Sequence, residues 1–444
     1  MDSISSRFVD KLFSLSECNT IPRHVFNKAK SCLIDYIGVV FAGSYFYKDI
    51  INNYIYKNEL GGNIHIFNWN NTVNFHDAIL VNAFNSHVLE LDDSHRVALT
   101  HLGASIFSAL IGVAEKRSCT INQLLIGAIV GYEAAIRIGN CIQPSHKKRG
   151  FHSSGTCCTI GCAMGISAML GYKKDEFFNA FSASVTSSAG LLEIIGGESE
   201  QKPYNVANAA VAGVNAALFG KYFHAPEDIL EGKSGFLKAV SDTYQPERLF
   251  DDGFAIETIY QKLYASCRHC HTPMEATMLI RNETQRPYHD IVDILVETYD
   301  LAILRHDHTI INGISSAKQS IPYSVAASYF FGNGGLGVYS KDSICNEDIL
   351  TLTKKVKLKE NRELSQLVPK KRASIVTITY SDGYKCSKRV DFAKGEPENP
   401  LTQRELYEKY KTLMLMSGKD FQQLEKILDL INQMDSYVKD IFDI

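Results

Sequence analysis

Most marks of a nucleic-acid-binding, secreted or membrane protein are missing from this chain. Its formal net charge is −3 over 444 residues, and no basic stripe interleaved with aromatics runs along it, so no nucleic-acid partner is expected. Apolar runs such as Leu124–Val130 are much shorter than a bilayer crossing needs, so no membrane association is expected either. The first residues carry Asp2 and Asp10 and no apolar stretch, which does not read as a signal peptide. The eleven cysteines are odd in number and scattered. Without a disulfide-like framework they are expected as reduced thiols of a cytoplasmic protein. Missing too are a G-x-S-x-G elbow, a Walker A loop and a G-x-G-x-x-G after a strand. The run Gly332–Gly337 follows a helical pattern and reads as a turn.

What is present is a long series of helical patterns. Phe8, Leu12 and Leu15, then Ala29, Cys32, Leu33, Tyr36 and Ile37, repeat at three and four. Further helices are expected over Asp77–Val88, Ser105–Glu115, Asn122–Arg137, His152–Leu170, Lys174–Ala189 and Ala207–Phe219. The run G-T-C-C-T-I-G-C-A-M-G from Gly155 to Gly165 is rich in small residues that let helix axes approach closely. The texture changes near Phe250. Ile291–Tyr299 and Ala373–Tyr380 read as strands, and Ser381–Tyr384 turns the second into a return strand ending at Val390. Ser324–Phe331 reads as a helix, and helix returns after Leu401. The expected fold is mainly α with an α+β second domain. Residues 1–255 form the large helical domain, 256–398 a smaller lid-like α+β domain, and 399–444 the C-terminal helices that complete the first.

Chemistry concentrates in Phe84–Gly103, which holds His87, His95, His101, Glu90, Asp92, Asp93 and Arg96. On a helix His87, Glu90 and Ser94 would share a face, and acid beside imidazole is the material of a proton-transfer site. Gly150–Thr156 places His152 at a glycine-flanked helix start, where dipole and free N–H groups favour an anion or form an ordinary N-cap. The polar loop Gly196–Asn205 delivers Lys202 ahead of a helix. Cys267-Arg268-His269-Cys270-His271 invites a zinc reading, but a single CxxC without a second pair at ligand spacing is weak evidence for one.

In this order the clusters resemble the MmgE/PrpD family of 2-methylcitrate dehydratases and cis-aconitate decarboxylases, over nearly the whole chain. The family's H-x-L-D-F-D-D-[TS] followed by His-Pro is similar to His87–Ser94 followed by His101-Leu102. Its G-[FY]-H-x-[ST]-G-T is Gly150–Thr156, its S-G-L-L-E-F resembles Ala189–Ile194, and its lysine before a small-residue helix is Lys202. Its I-L-E-G-x-x-G-F is Ile229–Phe236. Its K-x-[YF]-x-x-C…H resembles Lys262–His271, its A-K-F-S-x-x-Y-x-V-A resembles Ala317–Ala326, and its G-x-P-E-N-P-L-[TS] resembles Gly395–Thr402.

The resemblance implies a homodimeric, metal-free lyase with no other cofactor, whose active site lies between the two domains. It implies a small di- or tricarboxylate substrate and a carbanion next to a carboxylate, formed by decarboxylation, dehydration or epimerisation. By motif position, His101 is the first candidate for the base. Lys202 and His152 stabilise charge, Asp92 or Asp93 orients a histidine, and Tyr323 reaches from the lid to a substrate carboxylate. Ser94, Asp92, His271 and Lys262 are expected around the substrate. Departures from the pattern lie at Glu90, Ser94, Leu102 and Asn205. They bear on the choice of acid, including an iminodisuccinate-like one, and on whether the chain is a silent binding relative.

Overall fold

Glycine sets the spacing at the centre of the helical part. A computed structural model describes residues 3–17, 21–195 and 199–444. Its helices begin with α1 (Ile4–Ser16), α2 (Arg23–Phe46), α3 (Lys48–Lys57), α4 (Phe75–Val88) and α5 (Gly103–Arg117). They continue with α6 (Ile121–Ile142), α7 (Ser145–Lys148), α8 (Ser153–Met169), α9 (Lys174–Ser187) and α10 (Lys202–Leu218). Every residue of α8 is buried. A Cβ on Gly161 of α8 would lie 2.7 Å from the Gly131 carbonyl oxygen of α6, and one on Gly131 would lie 2.8 Å from that of Gly161. A glycine pair therefore lets the two backbones touch. On α8 pack α5 and α10, and α4 bridges those two. Helix α6 has the length and hydropathy of a membrane span, yet 94% of its most apolar window is buried inside the fold. It is a core helix.

A two-residue antiparallel pair, β1 (Ile64–His65) with β2 (Thr72–Val73), precedes α4. After α11 (Phe236–Val240) and α12 (His271–Thr284) comes the sheet of the smaller α+β part. Its strands are β3 (Ile291–Thr298), β4 (Val356–Glu360), β5 (Ser374–Tyr380) and β6 (Lys385–Val390), in the order β4-β3-β5-β6. The expected hairpin is β5–β6, with Val376 opposite Lys388. Strand β4 was not legible as one. It runs parallel to β3 with Val296 opposite Leu358, and its lysines Lys357 and Lys359 pair with Asp293 and Glu297 of β3. A short, lysine-bearing edge strand lacks the apolar alternation that marks a strand, and that same chemistry protects the edge.

Between β3 and β4 lie α13 (Asp300–Ile303), α14 (Ile314–Gln319), α15 (Ile321–Phe331), α16 (Lys341–Ile344) and α17 (Glu347–Thr353); α18 (Arg362–Gln366) follows β4. Ser374, Val376, Ile378 and Tyr380 of β5 are buried in alternation, and α12 packs on β5, β6 and α15. The last helices, α19 (Gln403–Met416) and α20 (Phe421–Asn432), return to the helical part. Tyr410, Met414, Leu424 and Ile427 share its core with Phe8 and Leu33.

The helix expected to end at Val88, α4, does end there, so His87, Glu90 and Ser94 do not share a helix face. Glu90 takes a left-handed φ of +57°, which an α-helix cannot contain. Leu89 and Leu91 then bury in the core of the α+β part. The chain leaving α4 is thus pinned at the seam between the two cores.

Candidate active site

Three lysines hold that seam. Lys318 of α14 donates to the Leu89 carbonyl at 2.9 Å, Lys262 to the Glu90 carbonyl at 3.0 Å, and Lys409 of α19 to the Leu91 carbonyl at 2.9 Å. Charge-assisted bonds to three successive carbonyls fix a strained turn far better than solvent does. Lys409 also pairs with Asp35 at 2.5 Å. Burial pushes Lys318 down to about 8; Glu90 opposes this, and Lys262 and Lys202 add to it.

The Glu90 side chain carries charge into the same place. One carboxylate oxygen pairs with Lys202, on the first turn of α10, and the other lies 3.1 Å from Lys262 Nζ. Burial alone would raise the Glu90 carboxyl, but Lys202 and Lys262, with His87 and His101, hold it well below the usual range. Lys262, expected near substrate, thus has its ammonium on Glu90. Lys202 opens a helix instead of sitting in the loop before it. Gly196, Gly197 and Glu198 of that loop lie outside the described residues.

Beside this pair lies the proton-transfer group. Asp92 Oδ2 lies 2.8 Å from His87 Nδ1 and 3.3 Å from His101 Nδ1. Ser94 Oγ lies 2.6 Å from the same His101 nitrogen. The backbone of Ser94 is fixed by a bridge to Tyr260, so Ser94 positions His101. Asp92 is buried, which raises its carboxyl, but His87 and His101 outweigh this and bring it below the usual range. The ionised Asp92 and the Ser94 oxygen both face His101 Nδ1, which favours the tautomer with the proton on Nδ1 and the lone pair on Nε2. Burial pushes His101 down to about 3; Asp92 opposes, and Lys202 and Lys262 reinforce the fall. The His101 side chain is 14% exposed and that of His87 0%, so His101 is the imidazole a substrate can reach.

His152 is the N-cap residue of α8. The Asn205 side-chain amide donates to its Nδ1 at 3.1 Å, so a neutral ring carries its proton on Nε2. Burial holds His152 well below the usual imidazole range, with the Lys202 charge adding to it. Asn205, a departure from the family pattern, thus sets the tautomer of His152. His152 is accordingly a neutral donor.

Three expected site residues are engaged elsewhere. Asp93 accepts from Tyr132 Oη at 2.5 Å and from the Gly103 N–H at 2.8 Å, so Asp92, its neighbour, is the carboxylate on the histidines. Burial raises Asp93 to about 7 despite those two bonds. Tyr323 is fully buried in the α+β core and donates its hydroxyl to the Val338 carbonyl at 2.7 Å. The residue of its motif that reaches the site is Lys318. His271 places Nε2 3.1 Å from the Ser266 carbonyl and its ring against Tyr264, which anchors the start of α12.

The closing G-E-P-E-N-P stretch has a structural use. Glu396 accepts from Arg96 at 3.1 Å and from Arg268 Nε at 2.7 Å, tying the loop after Ser94 to the chain before α12. A Cβ on Gly395 would fall 1.8 Å from the carbonyl oxygen of Gln261, next to Lys262.

Among the described residues, two groups bring three potential metal donors within 4.8 Å of one another: His87, Asp92 and His101, and Cys267, His269 and His306. The first is explained by its own hydrogen bonds. The second corrects the CxxC reading, because Cys270 points its sulfur at the Lys318 carbonyl and the third member, His306, lies outside that motif. A cavity of about 510 Å³ opens on the Leu91 side of the clamped turn, lined by Leu263, Tyr264, Met278, Leu336 and Met416. Arg404, Glu405, Glu408 and Lys409 line it as well, and none of His101, His152 and Lys202 does, so it is separate from the proton-transfer group.

Residues 11–249 match the MmgE/PrpD N-terminal domain and residues 264–433 the MmgE/PrpD C-terminal domain. The chain is similar to the cis-aconitate decarboxylase of Mus musculus, 22% identical over 443 residues, covering 93% of this chain and 86% of that protein. The chain belongs to the MmgE/PrpD family.

Proposed function

We propose that this protein is a cofactor-independent lyase that forms a carbanion next to a carboxylate of a small di- or tricarboxylate. The observation that carries this reading is the placing of a neutral, oriented His101 beside Lys202 and the neutral donor His152. Such a set removes a proton from carbon and offsets the charge that develops on the adjoining carboxylate. In dehydration the Nε2 lone pair of His101 takes the proton from carbon; in decarboxylation CO2 leaves instead and the carbon takes up a proton. Lys202 and the His152 N–H face the developing negative charge, and Lys202 can return a proton to carbon or leaving group. Dehydration of a 2-methylcitrate-like acid and decarboxylation of a cis-aconitate-like acid both draw on these groups. The mouse relative's name favours decarboxylation, with a homodimer as the working assembly.

Proton NMR of the purified protein with cis-aconitate, 2-methylcitrate, citrate and iminodisuccinate in deuterated water tests this. A new olefinic or methylene signal with release of CO2 or water supports the lyase. Deuterium wash-in without loss of either supports an epimerase instead. Binding without change in any of the four supports a silent relative, a reading favoured by the Glu90 carboxylate already resting on Lys202 and Lys262.

A further inference from the structure

Outside the His101 group, the chain brings together a thiol and two imidazoles that the reading above does not use. Cys267 Sγ lies 3.9 Å from His306 Nε2. His306 Nδ1 lies 2.7 Å from the Gln319 carbonyl, a pure acceptor, so Nδ1 carries a proton and Nε2 is the nitrogen that exchanges one with the sulfur. His269 stacks on His306 with ring centroids 4.8 Å apart, and its Nδ1 lies 2.6 Å from Tyr299 Oη. The Cys267 backbone N–H donates to the Lys318 carbonyl at 2.9 Å, which fixes where the sulfur sits. Cys267 is half-buried, whereas eight of the other described cysteines are buried.

We propose that Cys267 is a nucleophilic thiol, with His306 as its proton partner, that is alkylated by anionic α,β-unsaturated carbonyl compounds. Thiol-to-imidazole contact with the far nitrogen held on a carbonyl is the arrangement that activates sulfur in nucleophilic sites. The electrostatics agree. Burial alone would raise the thiol, but His306, aided by Lys202, brings it down to about 6. Cys267 acts in turn on His306, raising the imidazole against its burial. Lys202, Lys147 and Arg372 lie within electrostatic reach of the Cys267–His269–His306 group and set a positive charge near it, opposed by Glu90.

The step balances without a further reactant. The thiolate lone pair forms a C–S bond to the β-carbon, and the π pair moves to the α-carbon. That carbon takes the proton from His306 Nε2, so one thiol and one alkene give one thioether. Any effect of the adduct on turnover rests on the function proposed above; the labelling itself does not.

The test uses the full chain at neutral pH with monomethyl fumarate, an anionic reagent, and N-ethylmaleimide, a neutral one. Intact mass and peptide mapping locate the adducts. Exposed Cys345 is the internal reference. Cys267 is expected to react about tenfold faster than Cys345 with either reagent, with the larger ratio for monomethyl fumarate. His306→Gln should slow Cys267 by about tenfold and leave the Cys345 rate unchanged. Cys267→Ser should remove the fast adduct alone, which covers the case in which His306→Gln fails to fold. Faster labelling of Cys345 overturns the proposal, as does indifference of Cys267 to His306→Gln. A stoichiometric divalent metal retained on Cys267 and blocking its labelling overturns it as well.

Discussion

The Lys202 ammonium rests on the carboxylate of Glu90, 112 residues earlier in the chain. Lys202 belongs to the first turn of α10 and Glu90 to the left-handed turn after α4, so this one contact sets the separation of the two elements. Lys262, 1% exposed, takes the other carboxylate oxygen. Removing the charge of Glu90 leaves a buried ammonium without its counter-ion, which costs about 3–5 kcal/mol. Glu90→Gln is therefore expected to lower the urea unfolding free energy by about that much. Pairing it with Lys262→Met in a double-mutant cycle should give a coupling of about 2–3 kcal/mol. Simple additivity would show that the pair contributes nothing to the fold.

Much of the site was legible because its chemistry is local. His87, Asp92, Ser94 and His101 lie within one short stretch, and their types alone suggest proton transfer. What that stretch could not show is direction. Adjacent Asp92 and Asp93 differ by which way a side chain leaves the backbone, and this is decided by Tyr132 and Gly103 from other helices. Lys318, Lys409 and His306 were missed for a related reason. A lysine that clamps a carbonyl more than two hundred residues away looks, in sequence, like any solvated lysine. The helical core was readable from its periodicity, whereas β4 was hidden by the charges that suit it to a sheet edge.

His101 bears the free lone pair, so its loss should stop the chemistry without unfolding the chain. On whichever acid the NMR panel identifies, His101→Asn is expected to lower kcat by about 10²- to 10⁴-fold. Asp92→Asn, which disturbs the same tautomer from behind, should lower it by about 10²-fold or more. Turnover within threefold of wild type for His101→Asn, at unchanged circular dichroism, would assign the proton transfer to another residue.

Asp93 makes a different prediction, in pH. Its carboxyl is raised to about 7 in the fold, against about 4 in the unfolded chain. Between these values the unfolded state has released the proton and the native state has kept it, so stability falls as pH rises. Below about pH 4 both states hold the proton, and above about 7 both have lost it, so the contribution is flat in each range. Asp93→Asn cannot titrate. Its urea unfolding free energy relative to wild type should climb by about 1.4 kcal/mol per pH unit across this window and level off above it. A difference independent of pH from 4 to 8 would show that Asp93 is ionised in the native state.

Tyr323 separates the resemblance from the geometry. The family motif places this tyrosine at the substrate, whereas the fold gives its hydroxyl to the Val338 carbonyl and buries its ring beside Tyr339. Removing the oxygen leaves one buried carbonyl without its donor and touches no group of the Asp92–His101–Lys202 cluster. Tyr323→Phe is therefore expected to cost about 1–2 kcal/mol in the unfolding free energy and to leave kcat and KM within twofold of wild type. The resemblance alone predicts the opposite, near-normal stability with kcat lowered by 10²-fold or more, about the contribution of a general acid. Measuring denaturation and turnover on the same preparation decides between them, because the two outcomes move different quantities. Loss of turnover at full stability would mean that the tyrosine leaves Val338 and swings toward substrate during the reaction.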